Sequence, residues 1–176
     1  MKKLSYPIGE FEMPETVDNA NLQSWISDIA NLPTNLKTLT NDLTIEQLNW
    51  KYRPNGWTIK QVIHHFGDSH LNALTRFKLS LTEENPTIRP YDERLWAETI
   101  DGLDDDITDS MFLITGLHNK WVKLLQSMST ADFQRKLTHP EHGREFILLE
   151  MTGSYAWHCR HHLAHIRQAL ASNGTY

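Results

Sequence analysis

Histidine is the residue type in this chain with the most evident capacity for chemistry. Ten of the 176 residues are histidines, and seven of them fall within residues 63–70 and 157–165. His161 and His165 are four residues apart, which on an α-helix puts both imidazoles on one face. Two such histidines and a third from a neighbouring helix could hold one divalent metal ion and leave a coordination position open. An open position is typical of catalytic rather than structural zinc sites.

Spacing alone does not select one pair in the later stretch, because His158 and His162 are also four residues apart. The apolar positions of that helix give a preference. His162 points into the apolar stripe, whereas His161 and His165 lie on its flank. We therefore predict a hydrogen-bonded core role for His162 and keep the flanking pair as candidate ligands.

The earlier stretch divides in the same way. His70 falls within the apolar stripe of its helix and is predicted to be a core residue, whereas His65 lies on a polar flank that also carries Asn72. A cleft between the two flanks is therefore predicted. His118 has no partner at metal-ligand spacing and is predicted to be a surface or packing residue, and Cys159 is predicted to be an inert core thiol.

Composition excludes several classes of function. The formal charge is −5 and no dense Lys/Arg block is present, which argues against a nucleic-acid binder. No apolar run approaches membrane-spanning length, and the N-terminus lacks the apolar core of a signal peptide. The single cysteine cannot form an internal disulfide. These features predict a cytoplasmic protein.

The elements that must position the histidines are helices. Apolar periodicity predicts four long helices, at about residues 18–39, 58–81, 107–126 and 148–171, with Thr58 as an N-cap. Pro33 is expected to kink or interrupt the first of them. Short helices are predicted near residues 44–48 and 93–98, a turn or small hairpin at 138–146, and a non-helical segment at 6–17. The prediction is a single all-α domain, a four-helix bundle over residues 1–176.

Several blocks of the sequence, in the same order along nearly the whole chain, resemble the YfiT branch of the DinB-like superfamily. They are residues 5–10 (SYPIGE), 56–65 (GWTIKQVIHH), 68–70 (DSH), 76–79 (RFKL), 88–93 (IRPYDE) and 157–165 (WHCRHHLAH). The resemblance implies a cytoplasmic, homodimeric four-helix bundle of the metal-dependent hydrolase type. It also implies one zinc or nickel ion per subunit, held by three histidines. At Cys159-Arg160 the chain departs from the family, which has Ser-His there.

Carried over by motif, the implied metal ligands are His65, His161 and His165. An open position on the metal would activate water for hydrolysis. The superfamily also contains bacillithiol S-transferases, so transfer of a low-molecular-weight thiol to an electrophile stays an alternative, as does metal binding without turnover. Asn72 and His158 are predicted as polar groups that line the pocket.

Overall fold

The computed structural model describes residues 2–176 and is dominated by four long helices. These are α2 Asn19–Thr40, α4 Ile59–Thr82, α6 Thr108–Ser127 and α8 Leu148–Ala171. The all-α four-helix bundle predicted from the sequence is confirmed, and the bounds of α8 agree with the prediction to the residue. Amphipathic periodicity explains the agreement, because each long helix buries one apolar stripe against the others.

Shorter elements connect the long helices. They are α1 Lys2–Ser5, α3 Ile45–Leu48, α5 Glu93–Trp96, α7 Thr130–Phe133 and a hairpin of β1 Lys136–His139 and β2 Arg144–Ile147. The short helices α3 and α5 and the hairpin were predicted, whereas α1 and α7 were not. Within residues 2–176, no helix is both long and apolar enough to cross a membrane.

Helix α4 begins at a complete capping box. The Thr58 side chain accepts a hydrogen bond from the Gln61 backbone N–H, and the Gln61 side chain accepts one from the Thr58 backbone N–H. Two N–H groups that the helix itself cannot satisfy are thus paired, and the predicted N-cap is confirmed. The cap sets where α4 starts and therefore which of its residues reach the bundle interior.

The prediction that Pro33 kinks or interrupts the first helix is wrong in one respect, because α2 runs through Pro33 without a break. Proline has no backbone N–H, so the carbonyl of Ile29, four residues earlier, loses its helical donor. The His118 Nδ1–H of α6 donates to that carbonyl at 2.6 Å. A side chain from another helix thereby satisfies a buried acceptor that α2 leaves unpaired.

The long helices pack in a closed ring. Helix α8 packs against α2 and α4, and α6 packs against the same two helices. Two helices that follow each other along the chain, α2 and α4, therefore lie across the bundle from one another, as do α6 and α8. The fully buried side chains in the middle include Ile29, Leu32, Phe66, Phe77 and Trp121.

The N-terminal segment, residues 2–17, lies along its own bundle. Residues 6–17 are not helical, as predicted. The Trp157 indole N–H donates to the carbonyl of Gly9 at 3.1 Å, and the Gln168 side-chain amide donates to the carbonyl of Leu4 at 3.0 Å. Both donors belong to α8, so the segment covers the part of α8 that carries the histidines.

Candidate metal centre

Helix α8 presents four histidines on one face. His158, His161, His162 and His165 are separated by three, one and three residues, a spacing that keeps all four within about one side of a helix. His161, His162 and His165 are buried, and His158 is half-buried. His65 of α4, also buried, faces them from the neighbouring helix. The core of the bundle thus contains five adjacent imidazoles.

The five imidazoles form two overlapping groups. His65, His158 and His162 make one group, and His161, His162 and His165 make the other, with the ligand atoms of each group within 4.8 Å of one another. His162 belongs to both groups. A cluster of this density brings enough nitrogen donors together for a divalent ion that prefers imidazole.

Two nitrogen–nitrogen distances test whether the cluster fits a metal. Nε2 of His65 and Nε2 of His158 lie 3.2 Å apart, and so do Nδ1 of His162 and Nδ1 of His165. With a zinc–nitrogen bond of about 2.0–2.1 Å, two nitrogens that share one tetrahedral ion lie about 3.4 Å apart. Both pairs are close to the separation that a shared ion requires, and each joins a predicted ligand, His65 or His165, to a histidine that was not predicted as one.

The cluster is held in the neutral form that metals bind. Burial lowers the pKa of His65 and of His161 to about 4. Repulsion from His161, when that ring is protonated, lowers the pKa of His65 further. Burial also lowers the pKa of His165 to about 3, with a further contribution from His161. Neutral imidazoles have a free lone pair, so no proton needs to leave before a metal can bind near neutral pH.

Aromatic side chains surround the imidazoles and restrict water. Three rings lie against three of the imidazoles, at these centroid distances: Trp157 at 4.4 Å from His161, Tyr52 at 3.8 Å from His165 and Trp57 at 4.7 Å from His65. Such contacts hold a ring in one orientation before any ligand arrives. They also give the cluster an apolar wall, in which the charges of a bound ion and of a reacting group interact more strongly than in water.

One buried nitrogen of the cluster is not hydrogen-bonded to any group of residues 2–176. That atom is Nδ1 of His161. A buried polar atom without a partner costs free energy. Within residues 2–176 a few other buried atoms, such as the Trp121 indole nitrogen, also lack a partner, but among the buried nitrogens of the five clustered imidazoles Nδ1 of His161 is the one that does. A metal ligand is a role that fits a neutral, buried and oriented imidazole nitrogen.

The predicted ligands His65, His161 and His165 all lie in the cluster, distributed over its two groups. The cluster also contains His158, which was predicted only to line the pocket, and His162, which was predicted to be a core residue. The joint spacing of the four α8 histidines is the sequence signal that places them together. Their assignment as ligands stays a prediction.

The other predicted pocket residue points along its own helix. The Asn72 side-chain amide donates to the carbonyl of Asp68, one turn earlier on α4, at 2.9 Å. His64, although next to His65 in sequence, points away from the cluster, towards the start of α6. There its Nδ1 lies 2.7 Å from the Ser110 hydroxyl, and its Nε2–H donates to the carbonyl of Asp104 at 3.0 Å.

Two further histidines extend the cluster into the core. His70 is fully buried, as predicted, and its Nδ1 lies 2.7 Å from Nε2 of His118, which is also buried. Nε2 of His70 lies 3.0 Å from Nδ1 of His158. His118 is a packing residue, one of the two roles predicted for it. Its histidine partner is 48 positions away in sequence, so no local pattern indicates the contact.

Cys159 takes no part in the cluster. It is buried among apolar residues of the core, and burial raises the pKa of its thiol far above the ordinary value. A thiol held in the protonated form is a poor nucleophile and a poor metal ligand. The predicted core position of Cys159 is confirmed, and the inertness of its thiol stays a prediction.

The fold and the site together define a class: a helical bundle that gathers metal-ligating histidines from facing helices. Comparison with known proteins gives the family. Residues 29–166 match the DinB superfamily, and the chain belongs to it.

Relatives cover nearly the whole chain. A protein of Oceanobacillus iheyensis named "putative metal-dependent hydrolase" is 48% identical over 161 residues, which is 92% of each chain. YfiT of Bacillus subtilis, which has the same name, is 44% identical over 94% of this chain and 93% of its own. A solved YfiT structure aligns with a TM-score of 0.94 at 41% identity, covering 98% of both chains. It is described as "a probable metal-dependent hydrolase with an unusual four-helix bundle topology".

Proposed function

We propose that this chain is a metal-dependent hydrolase in which His65, His161 and His165 hold one divalent ion per subunit. Imidazole ligands suit several divalent ions alike, and zinc or nickel is the proposed ion because the family resemblance implies one of them. The substrate is a small molecule, the protein acts in the cytoplasm, and neither nucleic acid nor a membrane takes part. The convergence of buried, neutral imidazoles from α4 and α8 is the observation that carries the proposal.

A ligand set of three histidines would make a catalytic rather than a structural metal site. A structural zinc site uses four protein ligands, often cysteines, whereas three histidines leave one position open. A divalent ion bound there would act as a Lewis acid and lower the pKa of the water that it activates. The side chains around the ion would orient the ligands and exclude water. The relatives are named putative metal-dependent hydrolases, which supports hydrolysis as the reaction.

The protein's own groups keep the ligands oriented and the surroundings dry. Trp157 and Tyr52 stack on His161 and His165, so neither imidazole must be ordered when a ligand binds. The Ser5 carbonyl accepts a hydrogen bond from the His165 Nε2–H at 3.1 Å, which places the N-terminal segment at the edge of the cluster. Asn72 and His158 are proposed to line the substrate pocket.

Two other functions are compatible with the same residues. If a low-molecular-weight thiol occupies the open position, the metal favours the thiolate, and the reaction is S-transfer to an electrophilic carbon. If nothing reacts, the protein is a metal-binding bundle without turnover. The dependence of turnover on an added thiol separates the first two, and a complete lack of turnover identifies the third.

The experiment uses the full chain purified without an affinity tag. Its metal content is measured, and the loaded protein is assayed on a panel of esters and amides in water, with and without an added thiol such as bacillithiol, cysteine or glutathione. Hydrolysis by water alone, lost on chelation and restored by metal, is the expected result. Turnover only with added thiol would reassign the protein to the transferases.

A matched control guards against a trace contaminant. His142 lies exposed on the β1–β2 turn, outside the cluster, so His142→Ala should keep both metal and turnover. His161→Ala should lose both. Equal turnover by the two variants would place the activity outside this site.

A further inference from the structure

A line of four histidines runs from the candidate metal centre to the backbone of α2. Nε2 of His65 lies 3.2 Å from Nε2 of His158, whose Nδ1 lies 3.0 Å from Nε2 of His70. Nδ1 of His70 lies 2.7 Å from Nε2 of His118. The line ends where Nδ1 of His118 lies 2.6 Å from the Ile29 carbonyl oxygen. His65 and His70 belong to α4, His118 belongs to α6, and His158 belongs to α8.

The last contact determines the direction of the whole line. A carbonyl oxygen can only accept, so Nδ1 of His118 carries the hydrogen, and Nε2 of a neutral His118 must then accept. His70 therefore donates from Nδ1 and accepts at Nε2. His158 in turn donates from Nδ1, which leaves its Nε2 without a hydrogen. Each neutral imidazole has one donor and one acceptor, so the contact with the Ile29 carbonyl fixes the tautomers of His118, His70 and His158 in turn.

The anchor itself arises from Pro33. Because Pro33 has no N–H, the Ile29 carbonyl lacks its helical donor and is free to bind His118 strongly. A carbonyl that was already paired within α2 would hold the imidazole less firmly. The proline in the middle of α2 therefore supplies the fixed acceptor at the end of the line.

Burial keeps the line neutral and dry. His70 and His118 are 0% and 1% exposed, and the rings of Phe66, Trp121 and Tyr155 pack around His70. Burial lowers the pKa of His118 to about 4 and that of His70 well below its ordinary value. No water competes for the hydrogen bonds of the fully buried His70 and His118, so their pattern admits a single arrangement of hydrogens.

We propose that His118 and His70 are positioning residues that hold His158 in the Nδ1–H tautomer. In this tautomer the unprotonated Nε2 of His158 faces His65 and the candidate metal centre. The line is not a route for protons, because it ends on an amide carbonyl that cannot pass a proton on. Its effect is to present a permanent acceptor at the centre, where the opposite tautomer would present an N–H that repels a cation.

The metal-free chain gives the first test. Full-length protein labelled with ¹⁵N at histidine is studied by long-range ¹H–¹⁵N correlation, which reports which nitrogen of each ring carries the hydrogen. The expected result is a protonated Nδ1 and a bare Nε2 for His158. A hydrogen on Nε2 of His158 in the unsubstituted protein would overturn the proposal, and this arm needs no variant to fold.

Two substitutions of His118 then test its role. His118→Gln keeps a donor for the Ile29 carbonyl and an acceptor for His70, so the His158 tautomer should be unchanged. His118→Phe keeps a ring but removes both groups, so His70 loses its acceptor and the hydrogen of His158 should move partly or wholly to Nε2. An unchanged His158 tautomer in a folded His118→Phe protein would contradict the positioning role.

Metal affinity gives a second readout, and this arm rests on the proposed function. His158 is not one of the three proposed ligands, but its bare Nε2 lies 3.2 Å from Nε2 of the proposed ligand His65 and can accept a hydrogen bond from it. Loss of a hydrogen bond that orients a ligating histidine typically weakens metal binding by about 10–100-fold. Zinc titration of His118→Phe should show a loss of that size with the stoichiometry unchanged, whereas His118→Gln should bind like the unsubstituted protein. If the unsubstituted protein binds no zinc or nickel, the proposed function fails while the tautomer result stands. Equal affinity in all three proteins would show that the line does not support the metal.

Discussion

The indole of Trp157 lies nearly flat against the imidazole of His161, with ring centroids 4.4 Å apart and planes inclined by 22°. The two residues are one helical turn apart on α8, and the Trp157 N–H is tied to the Gly9 carbonyl. The hydrogen bond to the N-terminal segment thus fixes the orientation of the indole, and stacking on the indole fixes the orientation of the imidazole. His161 is therefore oriented before any ligand arrives, and its buried Nδ1 has no hydrogen-bond partner within residues 2–176.

The first prediction concerns the metal ligands. Replacing His65, His161 or His165 by Ala should reduce the bound metal from one ion per subunit to a small fraction of that, because two imidazoles hold a divalent ion far less tightly than three. Metal analysis after dialysis measures the stoichiometry. Added zinc or nickel should also raise the Tm of the unsubstituted protein, since a ligand that binds only the native state stabilises it.

Variants outside the predicted set complete this test. His142→Ala, on the exposed hairpin turn, should retain full metal. Full occupancy in His161→Ala would refute the predicted ligand set. Metal loss in His158→Ala and His162→Ala, with metal retained in His165→Ala, would move the site to the group of His65, His158 and His162.

The second prediction is a loss of stability of the metal-free protein in mild acid. The pKa of His65, of His118 and of His161 is lowered to about 4 in the native state, against about 6.5 in the unfolded chain. Between these values the unfolded state binds more protons, so the free energy of unfolding falls as the pH drops from 6.5 towards 4. One such buried histidine contributes on the order of 3 kcal/mol over this window.

Urea unfolding of the metal-free protein between pH 7.5 and 4.5 measures this effect. Asp68 acts in the opposite direction, because burial and the charge of Asp101 raise its pKa to about 6. Its contribution is present at low pH and is lost as the pH rises through 6. The histidines outnumber it, so the net slope should follow them, and Asp68→Asn should make the loss in acid steeper. Constant stability across this range would contradict the prediction.

The third prediction tests how closely α2 and α8 approach. A Cβ added at Gly153 would lie 3.0 Å from the ring of Trp25 and 3.1 Å from the ring of Phe11. Gly153→Val should therefore lower the free energy of unfolding by about 1–3 kcal/mol, as overpacking in a dense core does. Denaturant unfolding gives the value.

Gly116 provides a matched control in a long helix. It lies exposed on α6, and nothing lies within 4 Å of the position that its Cβ would take. Valine has a slightly better helix propensity than glycine, so Gly116→Val should be neutral or stabilise by a few tenths of a kcal/mol. A similar loss of stability at both positions would mean that the close contact of Gly153 with Trp25 does not explain the result.

The fourth prediction is that the protein is a homodimer at micromolar concentration, with each metal site built within one subunit. Two-fold pairing is the commonest way for a small domain to bury excess apolar surface, and the family resemblance points to the same assembly. Phe112 is 73% exposed on α6, an example of such surface. Sedimentation should give twice the 20.5 kDa of one chain. A species of 20.5 kDa alone would exclude the dimer, and an ion held by histidines of two chains would exclude separate sites.

The sequence by itself determined the features that depend on neighbouring residues along the chain. The bounds of α8 followed from its apolar period, and the start of α4 followed from Thr58 as its N-cap, because both depend on local interactions. The pairing of His161 with His165 on one face followed from helix geometry. The family resemblance added the identity of the third candidate ligand, His65.

The tertiary structure alone decided which distant groups meet. Periodicity placed His162 in the core. The packing of α4 against α8 also makes it a member of both groups of candidate ligands. The contact of His118 with His70, and the use of the carbonyl freed by Pro33, join residues from three helices. Such contacts depend on the relative placement of helices, which side-chain volumes across the whole core decide. A pattern within one helix contains no information about the rotation of the next.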